Sequence, residues 1–192
     1  FCTMYGRTKG RRLSKKQKLF LRDYGQDLIV DHEKMEEFLY ETFGPKENIF
    51  DGKKVYLEIG FGSGEHLAHK AERHKESKFI GCDYYLNGIA STVIKLTEKE
   101  LSNVSLFYGD ALKLLDKIPN KSLCEVYLLY PDPWPKVKHL KRRFISDQNL
   151  CLLASKLIDG GALKVVTDSE IYFTHIKSAV LTQKISKNFS IK

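Results

Sequence analysis

Lys54-Val55-Tyr56-Leu57-Glu58-Ile59-Gly60-Phe61-Gly62-Ser63-Gly64-Glu65 decides the architecture. Its apolar part reads as a buried strand, and the glycines at every second position then turn the chain. Glycine permits positive φ and lets a ligand approach the backbone. From this stretch onward, strand-like runs at 54–59, 78–83, 104–108, 125–130 and 162–167 alternate with helical stripes. One stripe is Leu86, Ile89, Ala90, Val93, Ile94 and Thr97; a second is Leu150, Leu153, Ala154, Leu157 and Ile158. A third is Tyr172, Ile176, Ala179 and Val180. Asp159-Gly160-Gly161 reads as the turn that returns the chain to the sheet. This alternation predicts an α/β domain: a mostly parallel sheet with helices on both faces. With right-handed crossovers and strand order 3-2-1-4-5, the order reverses between the first and fourth strands. A ligand then sits beyond their carboxyl ends.

The fourth strand runs into Leu128-Leu129-Tyr130-Pro131-Asp132-Pro133-Trp134-Pro135-Lys136, which this order places across the crevice from the glycine loop. Pro131 ends the strand because it has no N–H to give. A residue before proline is kept out of the helical region, so Asp132 sits on stiff, extended backbone. Trp134 is the only tryptophan, and Lys136, Lys138, His139, Lys141, Arg142 and Arg143 follow it. An acid, an aromatic ring and a cationic ramp in succession fit a nucleobase held beside its phosphate backbone. The plain alternative is a proline-rich turn, a core tryptophan and a solvated basic stretch.

A glycine loop alone is a weak signal. The third glycine comes one residue too early for a dinucleotide site, and Glu58 and Glu65 would repel a pyrophosphate. More telling is what ends each strand: Glu58, Asp83, Asp110, Asp132 and Asp168. One or two such acids would be ordinary helix caps. Five suggest a cationic ligand rich in hydrogen-bond donors, and S-adenosyl-L-methionine fits. Asp83 stands where related folds grip ribose hydroxyls; Asp110 would accept from the adenine edge and Glu58 would face the methionine end. His66, His69 and His74 read as a solvated helix face rather than a metal site, for want of a third ligand in register.

The chain is basic, with net charge +8 over 192 residues, which favours a polyanionic partner. Its basic residues crowd the start: Arg7, Lys9, Arg11, Arg12, Lys15, Lys16, Lys18 and Arg22. Residues 1–30 therefore read as a basic arm and 31–192 as one domain, opening with a helix that carries Met35, Phe38, Leu39 and Thr42 on one face. Cys2, Cys82, Cys124 and Cys151 form no CxxC pair and read as reduced thiols of a cytoplasmic protein. No apolar run approaches the 18 or so residues of a membrane span, so no membrane partner is expected.

Together these stretches resemble the tRNA (guanine-N7-)-methyltransferase family. The resemblance rests on the Gly6-Arg7 to Ser14 arm, Leu57 to Gly64, Gly109-Asp110-Ala111, Pro131 to Lys136, His139 to Arg143 and Thr167-Asp168. It implies a Rossmann-like class I methyltransferase fold. It also implies methyl transfer from S-adenosyl-L-methionine to N7 of the guanosine at position 46, in the tRNA variable loop. By this matching Glu58, Asp83, Asp110 and Asp132, with the Gly60, Gly62 and Gly64 loop, contact the cofactor, and Asp132 is the catalytic candidate. Lys136 and Asp168 fall on substrate-contact positions, with Trp134, Arg142 and Arg143 beside them on the RNA. Asp83 stands where the family more often carries glutamate, and a Thr-x-x-Glu-type substrate motif is expected beyond Lys192. Monomer and homodimer both stay open. So do two other readings: a class I methyltransferase for a small molecule or protein, and a non-catalytic RNA-binding protein on this fold.

Overall fold

The structure is a computed structural model of the chain and describes residues 10–31, 33–44, 54–182 and 189. Cys2, Arg7, Lys9 and the start of the basic arm lie outside them. Helix α1 (Lys15–Leu28) leads into a short strand β1 (Ile29–Val30) and helix α2 (Met35–Phe43). Then β2 (Val55–Ile59), α3 (Glu65–Arg73), β3 (Lys78–Asp83), α4 (Leu86–Glu98), β4 (Val104–Tyr108) and α5 (Ala111–Lys117) follow. The chain continues through β5 (Leu123–Leu129), a 3-10 helix (Val137–Arg142), α6 (Asp147–Lys156), β6 (Leu157–Val166) and α7 (Glu170–Val180).

The strands form one sheet in the order β1-β4-β3-β2-β5-β6, with every pair parallel. Apart from β1 this is the order expected from the sequence. Leu57 of β2 is flanked by Ile80 of β3 and Val126 of β5, a buried apolar row on one face of the sheet, while Tyr56 and Glu58 alternate onto the other. On one face Leu57, Ile59, Val126 and Leu128 pack with Leu114, Leu115, Leu150, Leu153 and Tyr172. On the other, Phe79 and Leu106 pack with Leu67 and Ala71 of α3 and with Ile89, Val93 and Leu96 of α4.

The arm read from the sequence as 1–30 is more structured than expected. Ser14 and Gln17 form a reciprocal capping box that starts α1. Phe20, Leu21, Leu28 and Ile29 pack against the second cluster, while Lys15, Lys16, Lys18 and Arg22 stay exposed. Gln17 Nε2 donates to the carbonyl of Asn87 at 3.3 Å and to Ser91 Oγ at 3.1 Å, tying α1 to α4. Residues 15–30 thus belong to the folded body.

A second difference is in β6. Asp159-Gly160-Gly161 is not a turn before the strand but an irregularity inside it. Gly160 has φ +80°, and the register against β5 shifts between Leu123 and Glu125. Glycine at positive φ serves a β-bulge as readily as a turn. Leu157 and Ile158, assigned by spacing to the helix, open the strand.

Helix α4 approaches the glycine loop at Gly88. A Cβ there would lie 2.3 Å from the carbonyl oxygen of Gly62, and backbone cannot swing aside as a side chain can. Gly88→Ala is expected to cost about 1–3 kcal/mol of stability, the range for overpacking. A lower urea midpoint at unchanged slope would show it; an unchanged midpoint would mean that the loop yields freely.

Candidate active site

Beyond the carboxyl end of β2 the backbone turns through Gly60, Gly62 and Gly64, at φ +73°, +57° and +74°. A Cβ at Gly60 or Gly62 would meet nothing within 4 Å, so the outer side of this loop is open. Its inner side is held by Asp83. Gly62 N–H donates to Asp83 Oδ2 at 2.8 Å and Tyr85 N–H donates to Oδ1 at 2.9 Å. Burial pushes the Asp83 carboxyl up, opposed by N–H groups of Tyr85, Gly62 and Tyr84.

Glu58 is 4% exposed. Its Oε2 lies 2.7 Å from His66 Nδ1, on the first turn of α3. Burial raises this carboxyl too; His66 opposes the shift and the nearby Asp83 charge adds to it. The solvated role expected for His66 is therefore corrected: it faces a buried acid, and its ring sits edge-on to Tyr127 with centroids 4.7 Å apart. His69 and His74 are exposed. Asp110 is buried and is the N-cap of α5, accepting from Leu112 N–H at 2.9 Å. The capping role and the expected site position coincide there. Burial pushes the Cys82 thiol up, and the charges of Asp83 and Asp110 add to the shift. Among the described residues no group of His, Cys, Asp and Glu could hold a metal ion.

Across the strand reversal, β5 is extended by Tyr130 N–H donating to the carbonyl of Val166 at 2.7 Å. The proline turn that follows is bracketed by two strained residues, Tyr130 at φ +50° and Trp134 at φ +41°. Residues with a Cβ adopt positive φ only when their surroundings impose it. Asp132 is exposed between them, and no described residue donates a hydrogen bond to it. Trp134 is half-buried and already engaged by the basic ramp. The Arg142 guanidinium lies 4.9 Å from its ring centre and His139 meets it edge-on at 5.6 Å. Lys136, Lys138 and Lys141 are exposed along the 3-10 helix. Arg143 departs from the ramp: it is 6% exposed, and its Nε–H donates to the carbonyl of Pro133 at 2.8 Å. The exposure that a phosphate contact requires is missing. Asp168 is exposed just after β6, next to Ser169, which caps α7.

The five acids expected at strand ends thus lie along one edge of the sheet, on two sides of the reversal. Glu58, Asp83 and Asp110 are buried on the β2–β3–β4 side; Asp132 and Asp168 are exposed on the β5–β6 side.

A family described as putative methyltransferases matches residues 52–190. A tRNA (guanine-N(7)-)-methyltransferase of Roseobacter denitrificans is 39% identical over 168 residues, covering 88% of this chain and 72% of that protein. The chain belongs to this methyltransferase family. A protein of the same name from Erythrobacter litoralis is 44% identical over 121 residues, 63% of this chain and 52% of that one. Among solved structures, a precorrin-6y C5,15-methyltransferase from Geobacter metallireducens superimposes with a TM-score of 0.54. It is 13% identical, over 88% of this chain and 78% of that one. At such low identity the likeness is one of fold.

Sequence pattern marks His66 only as part of a solvated helix face after the loop and Tyr172 only as a core position; the contact of His66 with Glu58 depends on how α3 sits against β2.

Burial raises Glu58, so its native value lies above its unfolded one. The stability it contributes is complete below the ordinary glutamate range and is lost as pH rises through the native value. Glu58→Gln is therefore expected to be more stable than the parent near pH 7, with the gap closing as pH falls towards about 4. Urea midpoints across that range would show it; a gap independent of pH would mean that the charge is fully compensated by His66.

Proposed function

We propose that the chain transfers the methyl group of S-adenosyl-L-methionine to N7 of the guanosine at position 46 of tRNA, and that it does so in the cytoplasm. The observation that carries this reading is the pairing of β2 with β5. It sets the glycine loop and its buried acids directly beside the turn that bears Asp132, in a chain whose relatives bear that name. The described cysteines, Cys82, Cys124 and Cys151, are free thiols, which suits a reducing compartment.

The residues present fit the cofactor. Glu58 and Asp83 are carboxylates whose charge is disfavoured by burial, and a cationic ligand with hydroxyl donors would relieve both. A carboxylate offers about four acceptor directions, so Asp83 can hold the glycine loop and still accept from a ribose. Asp110 stands by for the adenine edge, and the open outer side of Gly60 and Gly62 leaves room for close approach. When bound, the cofactor supplies a methyl carbon made electrophilic by its sulfonium.

Guanine N7 carries an in-plane lone pair and no proton, so no side chain has to remove one. What the chain must do is align the base and support the positive charge that grows on it. Asp132, held between two prolines, accepts from guanine N1–H and N2–H and does both. Lys136, Lys138 and Lys141 take phosphates. Asp168 accepts from a donor of the nucleotide, and Trp134 with Arg142 over its ring forms an aromatic and cationic wall beside the base.

Incubation with labelled cofactor and bulk tRNA, followed by nucleoside digestion, is expected to yield 7-methylguanosine. Yield should vanish for tRNA lacking guanosine 46. Label in any other nucleoside, or none, would overturn the reading.

Asp132→Asn keeps the shape, loses the charge and presents a donor where an acceptor pair is needed. The single-turnover rate at saturating cofactor should fall about 10²–10³-fold, with cofactor affinity reduced by a smaller factor than the rate. A rate within about threefold would make Asp132 a structural residue.

Affinity for tRNA should fall linearly in log–log form with salt. Lys138→Ala and Lys141→Ala should each make the slope shallower by about 0.7–0.9. A parent slope near zero would remove phosphate contacts from the account.

A further inference from the structure

Of the described arginines, Arg143 alone is buried. The 3-10 helix ends at Arg142, and the N–H of Arg143 donates to the Leu140 carbonyl at 3.0 Å, which turns this residue away from the ramp. Its Nε–H donates to the carbonyl of Pro133, the residue after Asp132, at 2.8 Å. Its guanidinium lies 5.4 Å from the ring centre of Tyr172, on α7. Tyr172 is itself fixed: it is fully buried, its Oη accepts from Ile145 N–H at 3.2 Å, and its ring stacks on His175. Arg143 therefore bridges the turn bearing Asp132 to the start of α7. It does so with Nη2 buried and without a partner among the described residues. A fold retains such an orphan donor where the rest of the side chain is needed. The need is visible in the turn, which is strained at both ends by Tyr130 and Trp134.

We propose that Arg143 is the positioning residue for Asp132, holding the turn from behind, and not a contact to the RNA backbone. This rests on Asp132 acting as proposed above. Arg143 sets where the carboxylate meets the guanine, through one hydrogen bond to the Pro133 carbonyl and one cation–π contact with the Tyr172 ring. A carboxylate displaced by about 1 Å loses on the order of 100-fold in rate.

The chemistry gives a test that separates geometry from charge. Glutamine carries its amide nitrogen the same number of bonds from the backbone as arginine Nε, and is neutral. Lysine keeps the charge but places its donor nitrogen one bond further than arginine Nε, and lacks the planar guanidinium. Both variants are measured for single-turnover methyl transfer at saturating cofactor, for thermal unfolding and for the salt slope of tRNA affinity. Positioning predicts that Arg143→Gln keeps more of the rate than Arg143→Lys. The lysine variant should lose about 10–100-fold, with both salt slopes at the parent value. A phosphate contact predicts the reverse order, with a slope shallower by about 0.7–0.9 for glutamine alone. Either that pattern or rates within threefold for both variants overturns the proposal. Should a variant unfold, the parent chain decides. With ¹⁵N-arginine label, one Nε–H should exchange slowly and stay slow and unshifted on adding tRNA; a signal that shifts with the exposed arginines overturns it. Asp132→Asn measured alongside separates the two readings. If it retains the parent rate, the role of Asp132 fails and takes this one with it. If it loses the rate while both Arg143 variants keep it, only the positioning role fails.

Discussion

A single carboxylate receiving backbone N–H groups from two directions is the constraint on which the sheet edge depends. Asp83 ends β3 and takes Gly62 N–H from the loop after β2 and Tyr85 N–H from the entry to α4. Neither segment has a regular ladder to hold it at that point, so the carboxylate substitutes for one. Its burial is tolerable only because those donors are present. The loop can offer its N–H groups inward because glycine accepts the positive φ that this requires. Helix α4 then settles against the Gly62 carbonyl, at Gly88. Loop, strand end and helix start become one rigid corner, and the parallel pairing of β2 with β5 fixes what stands opposite it.

The two sides of the crevice present their acids differently. On the corner, Glu58, Asp83 and Asp110 are buried and already bonded within the chain. On the other side Asp132 is exposed, on a backbone strained at both flanks. The contrast suits two ligands of opposite character. The net charge of +8 attracts a polyanion over the distance at which charges are felt through salt, roughly 10 Å. At contact distance the buried acids of the edge favour a cation and hydrogen-bond donors instead. Long-range and short-range electrostatics thus differ in sign on one molecule.

What the sequence could reveal followed from local rules. The strand order was readable because alternating strands and helices with right-handed crossovers leave few arrangements, and the acids were readable because each falls where a strand pattern stops. What was not readable depended on partners distant in the chain. The charges of α1 suggest an arm; Phe20, Leu21 and Leu28 become a packing face only because α4 and β4 stand there. Ile29–Val30 is too short to register as a strand. Charge pattern treats Arg142 and Arg143 alike, whereas the end of a 3-10 helix sends one over Trp134 and the other into the interior. At Gly160 the sequence could not separate a bulge from a turn, since both use the same backbone conformation.

The position of β1 has a consequence for how the molecule is made. Ile29 pairs with Leu106, so β1 leaves the ribosome ahead of β2, α3, β3 and α4 and must wait for them before its partner exists. At typical rates of synthesis that delay is on the order of 4–15 s. Through it the nascent chain carries a strand with nothing to zip against, the condition in which neighbouring polypeptides can be recruited. A strand of two residues offers them very little edge. Its brevity, a weakness in the finished sheet, is protection during translation.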